Sequence, residues 1–253
     1  MSQQVVIFGP DGEQFNQYTG TRRTNQRWPF GTQLIQQDGR KFRFCSAPTL
    51  LVIGDMQQAA ANVANHVNTT AAANAVDVRT LTTTLGATAA TLDQYFQGYA
   101  SISVTPGAGQ IYVFESTPVV ASAGSFVGTL SAGHAIRVAL TTTSRVDLIK
   151  NPYDNVIQSP ITTATGVPTG VAVSAIAAAS FGWVQTRGIA SVLTSGTVFL
   201  AGEAIVPSLA AGSINAALVT ELGTTQSTEV TVGRVQRVAA TAAWSTIFLI
   251  IDG

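Results

Sequence analysis

Charge is scarce in this sequence. Only 10% of its 253 residues are Asp, Glu, Lys or Arg, against roughly 25% in typical globular proteins. The 13 basic residues balance the 13 acidic ones. Folded monomers usually keep a charged surface, which prevents association with neighbours. Two interpretations therefore stay open: a β-protein that presents threonine hydroxyls to water, or a subunit that spends its life in an assembly.

Cysteine and long apolar runs are equally rare. Cys45 is the single cysteine, so an internal disulfide is excluded, which fits folding in a reducing cytoplasm. No stretch approaches the ~18 consecutive apolar residues of a membrane span, and the run Val5–Phe8 is too short for a signal peptide. We therefore expect a protein that is made in the cytoplasm and has no membrane partner.

Catalytic and metal-binding motifs are also lacking. The sequence contains no G-x-S-x-G, H-E-x-x-H or P-loop pattern. Cys45 could form a dyad with His66 or His134, but a cysteine beside Phe44 in a predicted strand is more typical of a small buried hydrophobe. The sequence predicts no catalytic residue, no cofactor and no metal site, and hence a protein that is not an enzyme.

The basic residues that are present cluster near the N-terminus. Arg22, Arg23, Arg27, Arg40, Lys41 and Arg43 are opposed locally only by Asp38. Residues 1–40 are rich in glutamine and poor in aliphatic side chains, so they cannot bury enough apolar surface to order themselves alone. This pattern predicts an extended arm anchored at Trp28–Phe30. A hairpin over Gln33–Phe44, with its turn at Asp38-Gly39, follows it.

The arm is the predicted binding element. Arginine and tryptophan often dominate protein interfaces, and we expect the contacts to come from Arg22, Arg23, Arg27, Trp28 and Phe30. Arginines interleaved with aromatic side chains also suit nucleic acid. A nucleic-acid domain is usually strongly basic, however, whereas this chain is neutral overall, which favours a protein partner.

The rest of the chain shows the period-two alternation of strands. No helical segments of the length needed for parallel α/β units separate these strands. The predicted fold class is therefore mainly β: antiparallel sandwich or barrel modules behind an extended N-terminal arm. The clearest alternations lie at Ile102/Val104, Ile111/Val113, Ile136–Leu140 and Val146/Leu148.

The C-terminal part adds further predictions. The aliphatic run Trp244–Ile251 predicts a buried central strand, and a phase slip after Gly233 predicts a bulge. Trp183 and Trp244 are interpreted as core residues. Residues 46–75 are ambiguous, and we expect a loop with at most one short helix within Met56–His66.

Proline and glycine mark the expected boundaries. The stretch Ser159–Gly170 is predicted to be a linker. The predicted domains are an arm and hairpin over residues 1–45, a β domain over 46–165 and a small β module over 166–253.

Several motifs, taken in order, resemble structural proteins of tailed phages, especially marine ones. A Gly-Thr pair precedes the Asp-Gly turn and an aromatic strand, and the tail is similar to small β modules of phage head-decoration proteins. The similar segments are Phe30-Gly31-Thr32, Gln37–Phe44, Thr84–Thr91, Tyr95, Gly98-Tyr99, Asn151-Pro152-Tyr153, Gly182–Gly188, Gly202, Gly212, Val232-Gly233 and Ser245–Ile250.

The resemblance implies a capsid cement protein on the virion surface. Such proteins bind the outside of the capsid as homotrimers and lock the lattice of the major capsid protein against internal DNA pressure. We expect residues 1–45 to dock on the capsid and residues 166–253 to form the trimer contact. A tail fibre, a spike or another virion subunit is the alternative. A glycan-acting hydrolase is a third hypothesis, which would require paired carboxylates in a groove.

Overall fold

The chain forms two compact units. The structure, a computed structural model, describes residues 6–20, 26–160, 164–195, 200–208, 210–217, 230–239 and 243–252. We call residues 61–151 the barrel unit, and the described parts of 4–60 and 152–253 the sheet unit. In sequence, the barrel unit is an insertion into the sheet unit.

Six antiparallel strands close the barrel unit on itself, in the order β10-β7-β6-β11-β8-β9. A short 3-10 helix precedes them at Ala64–His66. Numbered along the whole chain, the strands are β6 (Thr69–Ala71), β7 (Thr80–Thr84), β8 (Tyr99–Val104), β9 (Ile111–Ser116), β10 (Ser125–Leu130) and β11 (Arg145–Ile149).

Alternation along each strand separates the interior of the barrel from its surface. On β7, Leu81 and Thr83 are buried, whereas Thr80 and Thr84 are exposed. The buried Thr83 hydroxyl is satisfied, because it lies 2.8 Å from both the Thr70 carbonyl and the Thr69 hydroxyl. The interior is filled by apolar side chains that include Tyr95, Phe114, Phe126, Leu130 and Leu148.

The sheet unit is built on one mixed sheet. Its main path is β1-β3-β4-β14-β18-β17-β15-β16, in which β1 and β3 are parallel and the other neighbours are antiparallel. A 3-10 helix lies at Glu13–Phe15. The strands are β1 (Val6–Phe8), β2 (Tyr18–Thr19), β3 (Gln33–Ile35), β4 (Lys41–Ala47), β5 (Met56–Gln58), β12 (Ile157–Gln158), β13 (Pro168–Ala172), β14 (Ser180–Leu193), β15 (Ala204–Pro207), β16 (Ile214–Ala216), β17 (Gly233–Arg237) and β18 (Trp244–Ile250).

Strand β14 is the spine of the sheet unit. Its 14 residues pair with β2, β4 and β13 in the first half and with β18 in the second. Trp183 on this strand is fully buried and packs 5.2 Å from Phe44, measured between ring centroids. The predicted mainly β, antiparallel class is confirmed, as are the Gln33–Phe44 hairpin and the core position of Trp183.

The N-terminal residues differ from the predicted extended arm. Strand β1 pairs with β3, β2 pairs with β14, and β4 lies between β3 and β14. The glutamine content was expected to keep this segment in water, but some of these side chains are buried and bind each other. The Gln36 side-chain amide donates a hydrogen bond to the Gln14 side chain, and both residues are buried. Distant strands thus supply the burial that the local composition lacks.

The division into units also differs from the predicted domains 1–45, 46–165 and 166–253. The chain leaves the sheet unit after residue 60 and returns to it at residue 152. The last three residues of the predicted linker Ser159–Gly170 lie in strand β13 (Pro168–Ala172). Within the ambiguous region, Met56–Gln58 forms a strand and Ala64–His66 a 3-10 helix.

The strand predicted at Ile136–Leu140 is wrong. Ile136 and Leu140 are buried at two separate points of a turn-rich connection, where each meets the segment Asn74–Val78 through backbone hydrogen bonds. Residues 137–139 between them are exposed. The alternation comes from two apolar residues that fill the core, not from strand pairing.

Candidate functional site

Among the predicted arm contacts that the structure describes, Arg27 is the exposed one. Its guanidinium lies 4.6 Å from the centroid of the Trp28 ring and 5.3 Å from that of Tyr18, which is cation–π geometry. Burial and the hydrogen bond from Tyr18 to the Glu13 carboxylate raise the pKa of Tyr18 to about 12. Arg22 and Arg23 lie outside the described residues.

Trp28 and Phe30 serve as anchors within the sheet unit. The Trp28 ring lies 5.4 Å from Trp183 and 5.7 Å from Phe44, and Phe30 lies 6.1 Å from Phe181. Phe30 is only 6% exposed. The anchoring role predicted for this segment therefore has a clear structural basis, but Phe30 has little surface left for a partner.

An exposed apolar surface lies on strand β18. The strand is central, as predicted, between β14 and β17, but it is buried on one face only. Ser245, Ile247 and Leu249 point into the core, whereas Trp244, Phe248 and Ile250 are exposed, Trp244 by 50%. The core assignment of Trp244 is therefore wrong, because period-two geometry turns every second residue of an aliphatic run outward.

Strand β14 extends this exposed surface. Directly opposed residues of antiparallel strands share a face of the sheet. The register pairs Ile189 with Phe248 and Leu193 with Trp244. We call the outward side chains of β14, β18 and β17 the β18 face: Arg187, Ile189, Ser191, Leu193, Trp244, Thr246, Phe248, Ile250, Arg234 and Arg237.

An apolar loop borders the β18 face at Trp244. A Cβ atom added at Gly54 would lie 2.2 Å from the indole Nε1 of Trp244, so the loop backbone contacts the ring directly. Val52 and Ile53, just before this glycine, are exposed by 43% and 53%. The apolar surface thus continues from the sheet into residues 52–54.

The third strand gives the face a positive side. Arg234 is opposite Phe248, and Arg237 is opposite Thr246, with a register shift between Val235 and Arg237 where the bulge was expected after Gly233. Arg234 donates to the Gly202 carbonyl at 3.0 Å. Within the described chain, Arg187, Arg234 and Arg237 form no ion pair.

An ion pair fixes the end of β18. The Arg43 guanidinium binds the Asp252 carboxylate through Nε at 2.6 Å and Nη2 at 2.9 Å, and it also donates to the Gly31 carbonyl. Although burial opposes ionisation, the Arg43 hydrogen bonds and charge hold the pKa of Asp252 below its usual value. This bidentate contact ties the last strand to the N-terminal hairpin.

The residues of the imagined Cys–His dyad are engaged elsewhere. Cys45 is fully buried, and burial raises the pKa of its thiol to about 12. The prediction that Cys45 is a small buried hydrophobe is therefore confirmed. His66 is buried with both ring nitrogens in use, since Nε2 lies 2.8 Å from the Thr88 carbonyl and Nδ1 contacts the Tyr95 hydroxyl. Because a carbonyl accepts only, Nε2 carries the proton and Nδ1 accepts from Tyr95.

The described residues include no group of three or more His, Cys, Asp or Glu that could hold a metal ion. Among the same residues, no helix is long and apolar enough to cross a membrane. No family model matches the chain, and neither a curated protein nor a solved structure matches it. The exposed aromatic and apolar side chains of the β18 face make it the candidate functional site.

Proposed function

We propose that this chain is a structural protein of a virion that binds the outside of a phage capsid and cements the lattice of its major capsid protein. The observation that carries the proposal is the β18 face, where a central strand presents Trp244, Phe248 and Ile250 to solvent. Exposed aromatic surface with a polar rim marks protein interaction sites.

Sequence features add support to the proposal. The motif order resembles tailed-phage structural proteins, and the low charge suits a subunit whose partners complete its burial. The proposed partners are the major capsid protein and further copies of the chain in a homotrimer. The proposed location is the capsid surface after synthesis in the host cytoplasm, and no catalytic step is part of the role.

The mechanism of cementing is thermodynamic linkage. A protein that binds only the assembled lattice stabilises that state by RT ln(1 + c/Kd), where c is its free concentration, so the stabilisation grows with the logarithm of c relative to Kd. A site that spans neighbouring capsid subunits exists only in the assembled shell. Binding there raises the free energy needed to separate the subunits and needs no chemistry.

The test uses emptied shells of the phage that encodes the chain, stripped of this protein. Purified full-length chain is mixed with the shells and pelleted, and shell rupture is followed during heating. We expect saturable binding and a higher rupture temperature. A chain that stays in the supernatant, or that binds isolated tails instead of heads, would contradict the cement role.

A further inference from the structure

The β18 face is divided into an apolar half and a basic half. Strands β14 and β18 contribute Ile189, Leu193, Trp244, Phe248 and Ile250. Strand β17 contributes Arg234 and Arg237 along one side, and Arg187 lies at the corner opposite Ile250. An occupant must therefore match an apolar centre and a row of positive charges together.

The apolar half is too small to be a complete interface. From the exposed fractions of its side chains and areas of ~150–250 Å² for each aromatic residue, it offers roughly 400 Å². A standard interface takes about 800 Å² from each partner and surrounds its apolar centre with polar groups. The arginine side and the loop at Val52 and Ile53 are the adjoining surfaces that complete such a footprint.

A second copy of the same face is a poor match in charge. A twofold axis in the plane of the face would place Arg234 and Arg237 against their own counterparts or against Ile189 and Ser191 of the partner strand β14. Neither arrangement supplies a carboxylate. Asp252, which lies just beyond β18, is held by Arg43.

We propose that the β18 face binds a different protein surface, one with an apolar centre and carboxylates opposite Arg234 and Arg237. This inference rests on the proposed function, because it identifies that surface with the outer side of the capsid lattice. It also assigns to the capsid a part of residues 166–253, the segment that was expected to form the trimer contact.

The experiment measures binding of full-length variants to emptied shells at two salt concentrations. Phe248→Ser removes the centre of the apolar half, and Arg234→Glu with Arg237→Glu reverses the charged side. Matched barrel-unit controls are Ile111→Ser and Arg137→Glu, since both positions are exposed. Far-UV circular dichroism and melting establish that each variant is folded.

We expect both face variants to bind at least about tenfold more weakly than the wild type, whereas the controls stay within about twofold. Added salt should weaken wild-type binding and have less effect on the charge-reversed variant. Arg234→Lys with Arg237→Lys should retain most of the binding, because the charge is kept.

The failures are distinguishable. If the wild type binds shells and both face variants bind equally well, the assignment of the face is overturned while the cement role stands. If the wild type does not bind, the cement role itself fails and the assignment fails with it. If light scattering shows that Phe248→Ser breaks an oligomer, the occupant is a second copy and the proposal is overturned.

Discussion

The two units differ in the edges and side chains that their sheets present to water, although the chain that forms them carries few charges. The barrel unit closes its sheet, so none of its six strands has a free edge, and β7 turns threonine hydroxyls outward. The sheet unit stays open, ends at β1 and β16, and carries all four exposed aromatic residues of the described chain: Phe8, Phe15, Trp244 and Phe248.

This difference suggests a separate role for each unit: the closed barrel contributes stability, and the open sheet offers a surface for binding. Closure leaves the barrel unit no unpaired strand edge to cover. The solvent-exposed area of these aromatic side chains contributes little to the fold of the sheet unit, but it is the area that gains most from burial at an interface. Under the proposed function, each of the two interpretations of the low charge describes one unit.

The largest expected difference is between the replacement of a buried phenylalanine of the barrel unit and that of an exposed phenylalanine of the sheet unit. Phe126→Ala, inside the barrel, should lower the free energy of unfolding by about 3–5 kcal/mol because it leaves a cavity. Phe248→Ala should lower it by less, about 1–2 kcal/mol, because 39% of that residue is already exposed on the β18 face.

Urea titration checks this contrast, unit by unit. All three tryptophans, Trp28, Trp183 and Trp244, belong to the sheet unit, so their fluorescence follows that unit alone. Far-UV circular dichroism follows both units. A Phe126→Ala variant whose tryptophan transition shifts as far as its circular dichroism transition would show that the units do not unfold independently.

A smaller effect is expected at the Arg43–Asp252 pair of the sheet unit. Asp252→Asn should cost roughly 1–3 kcal/mol at neutral pH, because Arg43 is left partly buried without its counter-charge. Since the folded pKa of Asp252 is lowered, this contribution is complete above the unfolded pKa of about 4 and is lost as the pH falls through the folded value.

Tryptophan-detected unfolding at several pH values tests this sign. The difference between wild type and Asp252→Asn should be largest above about pH 5 and should shrink below about pH 4. Asp38→Asn is the matched control, since that carboxylate pairs with Arg40 at the surface. A difference that grows on acidification would contradict the lowered pKa.

Gly54→Ala should disturb the apolar end of the β18 face. The glycine has φ of 80°, and an added Cβ would meet the Trp244 ring. We expect a loss of about 1 kcal/mol and a shift in tryptophan emission, because the ring must move. The Gly39→Ala control shares a positive φ but meets no atom within 4 Å, so it should leave the emission unchanged.

The smallest effect in the series is expected at an exposed hydroxyl of the barrel unit. Thr80→Ala removes an exposed hydroxyl and should change stability by less than about 0.5 kcal/mol, whereas Thr83→Ala removes a buried, hydrogen-bonded one and should cost about 1–2 kcal/mol. Thermal melting followed by circular dichroism compares them. Equal losses would contradict the inside–outside assignment of β7.

Local signals in the sequence predicted local structure well. The Asp38-Gly39 turn and the flanking alternation predicted the hairpin, and period two located β8, β9 and β11. These features depend on residues close in sequence. The same rule failed at Ile136–Leu140, because two buried side chains spaced four apart imitate a strand, although only Leu140 forms a single isolated bridge, with Asn74.

Long-range structure could not be predicted from the same signals. Three features depend on contacts between residues that are distant in sequence. They are the pairing of β1 with β3 and of β2 with β14, the closure of the barrel, and the insertion of the barrel unit into the sheet unit. The β18 face was missed because the run of aliphatic side chains in Trp244–Ile250 masks the alternation. The polar residues Ser245 and Thr246 do not show which residues of the strand face the core, because Ser245 is buried and Thr246 is partly exposed.

Side-chain footprinting tests the central claim most directly. The full chain, free and bound to emptied shells, is exposed to hydroxyl radicals, and labelling of each residue is read by mass spectrometry. We predict that Trp244 and Phe248 become protected on binding, while Ile111 and Val127 on the barrel unit keep their labelling. Protection of the barrel residues with unchanged labelling of Trp244 and Phe248 would contradict the claim that the open sheet is the binding unit.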